Sequence, residues 1–288
     1  MKIIDVHAHG IGGYDTRSSD LNHILKIAEI QGAHGVSEII LSVYPAIIRV
    51  MRENMKVIKS AMDMQTSSMS AGQAKIIGVH LEGPFLNPAK CGSLNAMTFI
   101  EPSEKPFSEL VEGFEDIIKI ITMAPELDGA PMLIKKISDV GIIVNMGHSD
   151  ATFDEAEKGF HSGARGITHI FNAMRGFHHR EPGITGFGLL NNDIFIEVIA
   201  DPFHLHRATL ELILKVKNPK RIIIVSDMVR ESGTFKAGEG VTNAYGDLLG
   251  GSMSVPGSAR RLIEIGYNEE MIMKFVTENP RCFLAGRC

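Results

Sequence analysis

Short runs rich in Ile and Val alternate with longer segments whose apolar residues recur every three to four positions, the pattern of successive βα units around a parallel sheet. The runs predict eight strands, at Lys2–His7, Glu38–Val43, Ala74–Leu81, Ile117–Thr122, Ile142–Met146, Gly166–Ile170, Ile194–Ala200 and Arg221–Val225. Runs such as IIDV, IIGV, IIVN and IIIV are apolar on both faces, as barrel strands covered by helices must be. Helical period is clearest over Leu21–Ala33, Ala46–Met62, Met132–Val140, Asp154–His161 and Arg207–Val216, with closing helices near Ser258–Ile265 and Glu269–Glu278. Asn87–Pro106 and Arg230–Gly251 read as long loops. An unbroken series of eight strands predicts an α/β fold, a single (β/α)8 TIM-type barrel domain over residues 1–288, in preference to a doubly wound open sheet. No repeat, low-complexity stretch or Pro/Gly/Ser-rich linker divides the chain.

Composition narrows the partners. The chain has 288 residues, enough for one large core and too few for two full-sized α/β domains. A net charge of −5 provides no basic field for nucleic acid or an anionic membrane, so any anion must be held by a local pocket. No apolar run approaches the roughly 20 residues that span a bilayer, and the opening Met-Lys leads into a strand, not a signal-peptide core. Cys91, Cys282 and Cys288 show no CxxC spacing, and read as free thiols in a reducing compartment. A soluble, cytoplasmic protein is expected.

The candidate chemistry is positional. Strand one runs into His7 and His9, strand three into His80 and Glu82, and strand five into His148. Strand six carries His169, strand seven is followed by His204, and strand eight closes with Asp227. In a barrel these carboxyl ends share one mouth, where active sites form. Residues i and i+2 of a strand share a face, so His7 and His9 can reach one ion. A lone His-x-His is more often a hydrogen-bonded surface pair. With Glu82, His148, His169 and Asp227 at neighbouring strand ends, a metal centre is the better reading. Imidazole and carboxylate ligands at an open site suit Zn²⁺, with Fe²⁺ as the alternative. His80 is expected to pack behind the ligands, and the Met-rich stretch Met51–Met69 to pack a helix.

The stretches DVHAHGIGGYDT, GVHLEGPFLNP, ITMAPE, NMGHSDATFDEA, THIFNAM, HREPGITG, IADPFHLH and IVSD, in this order, resemble the N-acetylglucosamine-6-phosphate deacetylases of the amidohydrolase superfamily. The resemblance implies a (β/α)8 hydrolase that removes acetate from N-acetylglucosamine 6-phosphate, a small-molecule partner. It implies Glu82, His148 and His169 as ligands of a primary divalent metal. His7 and His9 match a pair that only some members keep, which suggests a second ion bridged by Glu82, hence one or two ions per chain. Asp227 matches the catalytic acid and base. Asn172, Ala173 and Arg180 match the part that grips the sugar phosphate, Arg180 across a homodimer interface, and His204 matches a contact to the sugar.

Several positions depart from that pattern. Both halves of the family's accessory β-sandwich are expected to be missing. Leu94 stands where a histidine near the substrate is usual, Pro202 where a glycine is, and Met228 replaces a small residue beside Asp227. The segment from Arg230 to Ser252 looks shortened. These departures leave open a deacylase of another N-acyl amino-sugar phosphate or small amide, or a non-catalytic sugar-phosphate-binding barrel.

Overall fold

The computed structural model describes residues 2–234 and 238–286. Eight strands form one sheet: β1 (Ile4–Ala8), β2 (Glu38–Val43), β3 (Lys75–Glu82), β4 (Ile118–Met123), β5 (Ile143–Met146), β6 (Gly166–Ile167), β7 (Phe195–Ile199) and β8 (Ile222–Val225). Each pairs in parallel with the next in sequence. The ring closes just past the last ladder. The Asp227 N–H donates to His7 O at 2.9 Å, and Met228 O accepts from the N–H groups of His9 and Gly10 at 2.8 and 2.9 Å. Backbone groups that an open edge would leave unpaired are thereby satisfied.

The helices are α1 (Leu21–Ala33), α2 (Ile48–Ser68), α3 (Glu104–Val111), α4 (Ala130–Asp139), α5 (Phe153–Ser162), α6 (Gly183–Leu190), α7 (Arg207–Val216), α8 (Val255–Glu264), α9 (Glu269–Val276) and α10 (Glu278–Ala285). Local chemistry starts several of them: Asp20 caps α1, Ser254 caps α8, and Thr152 with Glu155 forms a capping box on α5. Among the described residues, no helix is long and apolar enough to cross a membrane.

Three elements depart from the sequence reading. Residues 104–106, expected in a loop, begin α3; Pro106 falls in its first turn, where a missing N–H costs nothing. The segment GITGFGLL forms α6 despite three glycines, and all but its last residue are buried. A Cβ at Gly188 would lie 2.6 Å from Ile167 Cδ1, so close packing against β6 overrides helix propensity. The closing helix is split at Thr277 (φ −130°, ψ −67°) into α9 and α10, Pro280 lying in the first turn of α10. The long segment after β8 also carries a small hairpin, Val241–Thr242 with Leu248–Gly250. Cys91 is free, whereas Cys282 is disulfide-bonded, which corrects the free-thiol expectation there; spacing alone cannot show a single pair within an odd count. Cys288 lies outside the described residues. In α2, Met51 and Met55 are fully buried and Met64 is exposed, as is Met69 just past its end.

The barrel interior is layered. Ser42, Thr122 and Glu197 are buried polar residues of β2, β4 and β7. By the two-residue strand period, Ile40, Ile120 and Phe195 share their faces one step nearer the amino ends. These apolar residues cluster with Ile223, Val225 and Phe283 of α10. An apolar floor thus carries a polar layer, and the site stands on that layer.

Outside the barrel, Lys217 follows α7 and is 2 % exposed. Its Nζ donates to Gly188 O at 2.7 Å and Asn191 O at 2.6 Å, satisfying carbonyls at the end of α6. Burial first, then the charge of Arg221, pushes its pKa from 10.5 down to about 7. Between those values the unfolded chain holds a proton that the folded one does not, so this group's contribution to stability rises with pH. Lys217→Met should destabilise the fold by about 1–3 kcal/mol by orphaning two carbonyls. Denaturant titrations at about pH 7 and about pH 9.5 should find the gap between wild type and variant wider at the higher pH; a pH-independent gap would contradict the assignment.

Candidate metal centre

His7 is the penultimate residue of β1, His9 follows the strand, and Glu82 ends β3. His148, His169 and Asp227 each lie two residues beyond the ends of β5, β6 and β8. These last three have left-handed backbones, with φ of 47°, 28° and 46°. For L-residues that conformation costs about 1–2 kcal/mol each, and it persists where surrounding contacts impose it. Here it turns the chain sharply at the barrel rim.

Glu82 is the meeting point. Its Oε1 lies 3.2 Å from His148 Nε2, 3.0 Å from His169 Nε2 and 3.4 Å from His7 Nε2, and its Oε2 lies 3.0 Å from His9 Nε2. Asp227 Oδ1 stands 3.3 Å from His7 Nε2 and 3.8 Å from His9 Nε2. Two ligand groups result, His7–His9–Glu82 and Glu82–His148–His169, each with its donor atoms within 4.8 Å of one another, so Glu82 is common to both.

Surrounding groups orient the rings. His7 Nδ1 lies 3.0 Å from Glu197 Oε2, and Glu197 Oε1 accepts from Asn145 Nδ2 at 2.7 Å. His148 Nδ1 is 2.9 Å from Lys90 O. A carbonyl can only accept, so the proton of a neutral His148 sits on Nδ1 and its Nε2 lone pair faces a carboxylate oxygen. Lone pairs facing each other at that separation repel unless a proton or cation lies between them. His7 Nε2 is buried without a hydrogen-bond partner. Burial favours a neutral His7, but Asp227 and Glu82 outweigh it and hold the imidazole well above its ordinary value. Burial opposes ionisation of Glu82, yet the charge of His7, with His148 and His169 at hydrogen-bond distance, holds it well below the carboxylate range. This donor set fits divalent cations, which replace shared protons with coordinate bonds. Beneath it His80 bridges Ser42 Oγ (2.9 Å) and Thr122 Oγ1 (2.8 Å), its ring 4.5 Å from that of His7. It packs behind the ligands, as expected.

Above the centre opens a cavity of about 200 Å³, lined in part by Tyr44, Leu94, His204, Asp227, Val229 and Leu249. Tyr44 stacks on His9 with ring centroids 3.9 Å apart, and the Arg17 guanidinium lies 4.5 Å above the other ring's centroid, that of Tyr44. Asn172 and Ala173 also line the cavity. The Asn172 amide nitrogen, however, donates within its own turn, to His169 O and Ile170 O at 3.2 and 3.3 Å. Arg180 does not line this cavity; it is exposed on the loop before α6, beside His179. Leu94 lies in the wall, whereas Pro202 is exposed and Met228 is turned into the core, where its sulfur accepts from Gln31. Two of the three substituted positions therefore do not alter the cavity surface through their side chains. The sequence reading missed Glu197 and Tyr44. A lone acid inside the apolar run IFIEVI was the available signal for Glu197, since an unpaired charge is rarely buried there.

An eight-stranded parallel barrel with a His/Glu/Asp centre at its carboxyl mouth defines the amidohydrolase class of metal-dependent hydrolases. No family model matches the chain. It is 30% identical over 309 residues to a Caenorhabditis elegans N-acetylglucosamine-6-phosphate deacetylase, covering 98% of this chain and 72% of that one. A Bacillus subtilis enzyme of the same name is 32% identical over 80% of this chain and 58% of its own. An Escherichia coli O157:H7 N-acetylgalactosamine-6-phosphate deacetylase is 28% identical over 91% and 71%. The crystal structure of a Thermotoga maritima N-acetylglucosamine-6-phosphate deacetylase superposes with a TM-score of 0.87 at 28% identity, covering 98% of this chain and 78% of that one. The chain belongs to the N-acetylglucosamine-6-phosphate deacetylase family.

Glu197→Gln leaves one carboxamide oxygen for two donors, His7 and Asn145. It should weaken divalent-metal binding at the His7–His9–Glu82 group by about 10–100-fold, measured by competition with a chelating dye. Wild-type affinity in the variant would show that Glu197 does not orient His7.

Proposed function

We propose that this chain deacetylates an amino-sugar 6-phosphate, N-acetylglucosamine 6-phosphate first, to the free amine and acetate. The observation that carries the reading is Asp227 at the cavity edge, within 3.3 Å of a ligand histidine and beside a carboxylate shared by two ligand groups. Zn²⁺ is the proposed ion and Fe²⁺ the alternative, held by Glu82, His148 and His169, with His7 and His9 able to hold a second. Bound there, a divalent cation acidifies water and polarises the amide carbonyl.

The chain's own groups do the rest. Asp227 accepts the proton of the attacking water and returns it to the nitrogen, because an amide nitrogen leaves poorly unless protonated. Glu197 holds a proton on His7 Nδ1 and so keeps Nε2 facing the centre. His204 and the turn at Asn172 and Ala173 contact the sugar phosphate. Among the described residues lining the cavity there is no Lys or Arg. The phosphate ligand is therefore proposed to be Arg180 of a second copy in a homodimer, whose planar fork matches phosphate geometry.

A second reading keeps the chemistry and changes the sugar or its acyl group. Leu94, Leu248 and Leu249 favour it, since they give the cavity an apolar wall that makes no hydrogen bond to a hydroxyl. Acetate release from N-acetylated hexosamine 6-phosphates, with metal content measured alongside, separates the readings. Turnover of the glucosamine derivative supports the first, turnover of another amide alone supports the second, and no turnover by metal-loaded protein defeats both. Asp227→Asn should lower kcat by about 10²–10⁴-fold at unchanged metal content. An unaltered rate would remove Asp227 from the chemistry.

A further inference from the structure

Asp201 lies two residues beyond β7 and is 2 % exposed. Its carboxylate accepts from five donors. Two are in its own turn, the N–H groups of Phe203 and His204, both at 2.9 Å. The third is His204 Nδ1, at 3.0 and 3.1 Å from the two oxygens. The others, Ser252 N–H at 3.0 Å and Ser252 Oγ at 3.1 Å, come from the end of the segment that follows β8. That segment supplies Leu248, Leu249 and Gly250 to the cavity wall, and Ser93, from the loop after β3, meets it by donating to Leu249 O at 3.2 Å.

We propose that Asp201 is a positioning residue for substrate binding: it fixes a proton on His204 Nδ1, leaves Nε2 for the cavity, and ties that ring to the strap carrying the leucine wall. A turn-forming role accounts for the bonds to Phe203 and His204 N–H. It does not account for the ring nitrogen or for Ser252, which is distant in sequence. Burial alone favours the neutral acid, but the hydrogen bond from the His204 ring, with N–H groups of Ser252 and His204, holds the carboxyl below its ordinary range. An ionised carboxylate accepts at every lone pair and so admits only the Nδ1–H form of a neutral His204. In Asp201→Asn one oxygen becomes an NH₂ donor. If that donor faces His204, the ring takes the other tautomer and its cavity-facing nitrogen changes from acceptor to donor. If it faces Ser252, the strap loses its anchor.

The kinetic arm of the test rests on the function proposed above; the spectroscopic arm does not. Long-range ¹H–¹⁵N NMR of ¹⁵N-histidine-labelled protein, with the His204 signals identified by their loss in His204→Asn, should find Nδ1 protonated in the wild type. Asp201→Asn should raise KM for N-acetylglucosamine 6-phosphate about tenfold while kcat stays within about threefold, at wild-type metal content. In the His204→Asn background the same change should cost little more. A wild-type His204 protonated only at Nε2 overturns the proposal, and so does a KM effect that adds in full to that of His204→Asn. Should the wild type hydrolyse no sugar phosphate, the function fails while the tautomer still decides this inference. Should Asp201→Asn not fold, the wild-type spectrum decides it alone.

Discussion

Four imidazole nitrogens, from the ends of β1, β5 and β6, face the two oxygens of one buried carboxylate, Glu82. Such a concentration of lone pairs away from water is unfavourable unless positive charge lies among them. Much of the carboxyl rim accommodates that constraint. Left-handed residues turn the chain where the side chains must enter, Glu197 and the Lys90 carbonyl set ring orientation, and a polar storey separates the centre from the apolar floor. The local strain at His148, His169 and Asp227 is offset by the hydrogen-bonded frame around them.

Closure of the barrel and the candidate metal centre share the same residues. The seam between β1 and β8 is made by the backbones of His7, His9, Gly10, Asp227 and Met228, three of which carry proposed functional side chains. Opening the seam would separate Asp227 from His7 while unpairing three backbone hydrogen bonds. The proposed catalytic geometry is therefore protected by the same interactions that abolish the sheet edge. The outer cavity differs in kind: its wall is pieced together from the loop after β3 and the strap after β8, joined through Ser93, Ser252 and Asp201. The seam carries His7, His9 and Asp227, whereas the joined loops, with Leu94, make the outer cavity wall.

Much of the architecture was legible along the chain because parallel barrel strands leave a strong signal. Runs apolar on both faces, such as IIIV, have few other environments open to them, and the strand and helix positions at Glu38–Val43, Leu21–Ala33 and Arg207–Val216 follow directly. The elements that escaped notice obey long-range packing. The glycines of α6 weaken a helix locally yet allow it to lie against β6, and Pro106 marks a loop unless its first-turn position is known. The candidate ligand residues were legible because each stands at the same end of its strand. Glu197 and Asp201 were not, since a carboxylate's partner is a matter of geometry and theirs lie far away in sequence or across a turn.

Taken alone, the amino-acid order determined the eight-stranded series, the residue types at the rim and the supply of imidazole and carboxylate donors, because periodicity and strand-end position are local properties. Only the tertiary structure decided how closely four imidazole nitrogens surround Glu82, that Met228 faces the core, and that Asp201 joins His204 to the strap. Those outcomes depend on distances between atoms brought together by closure of the barrel, and no pattern of neighbours along the chain encodes a distance across it.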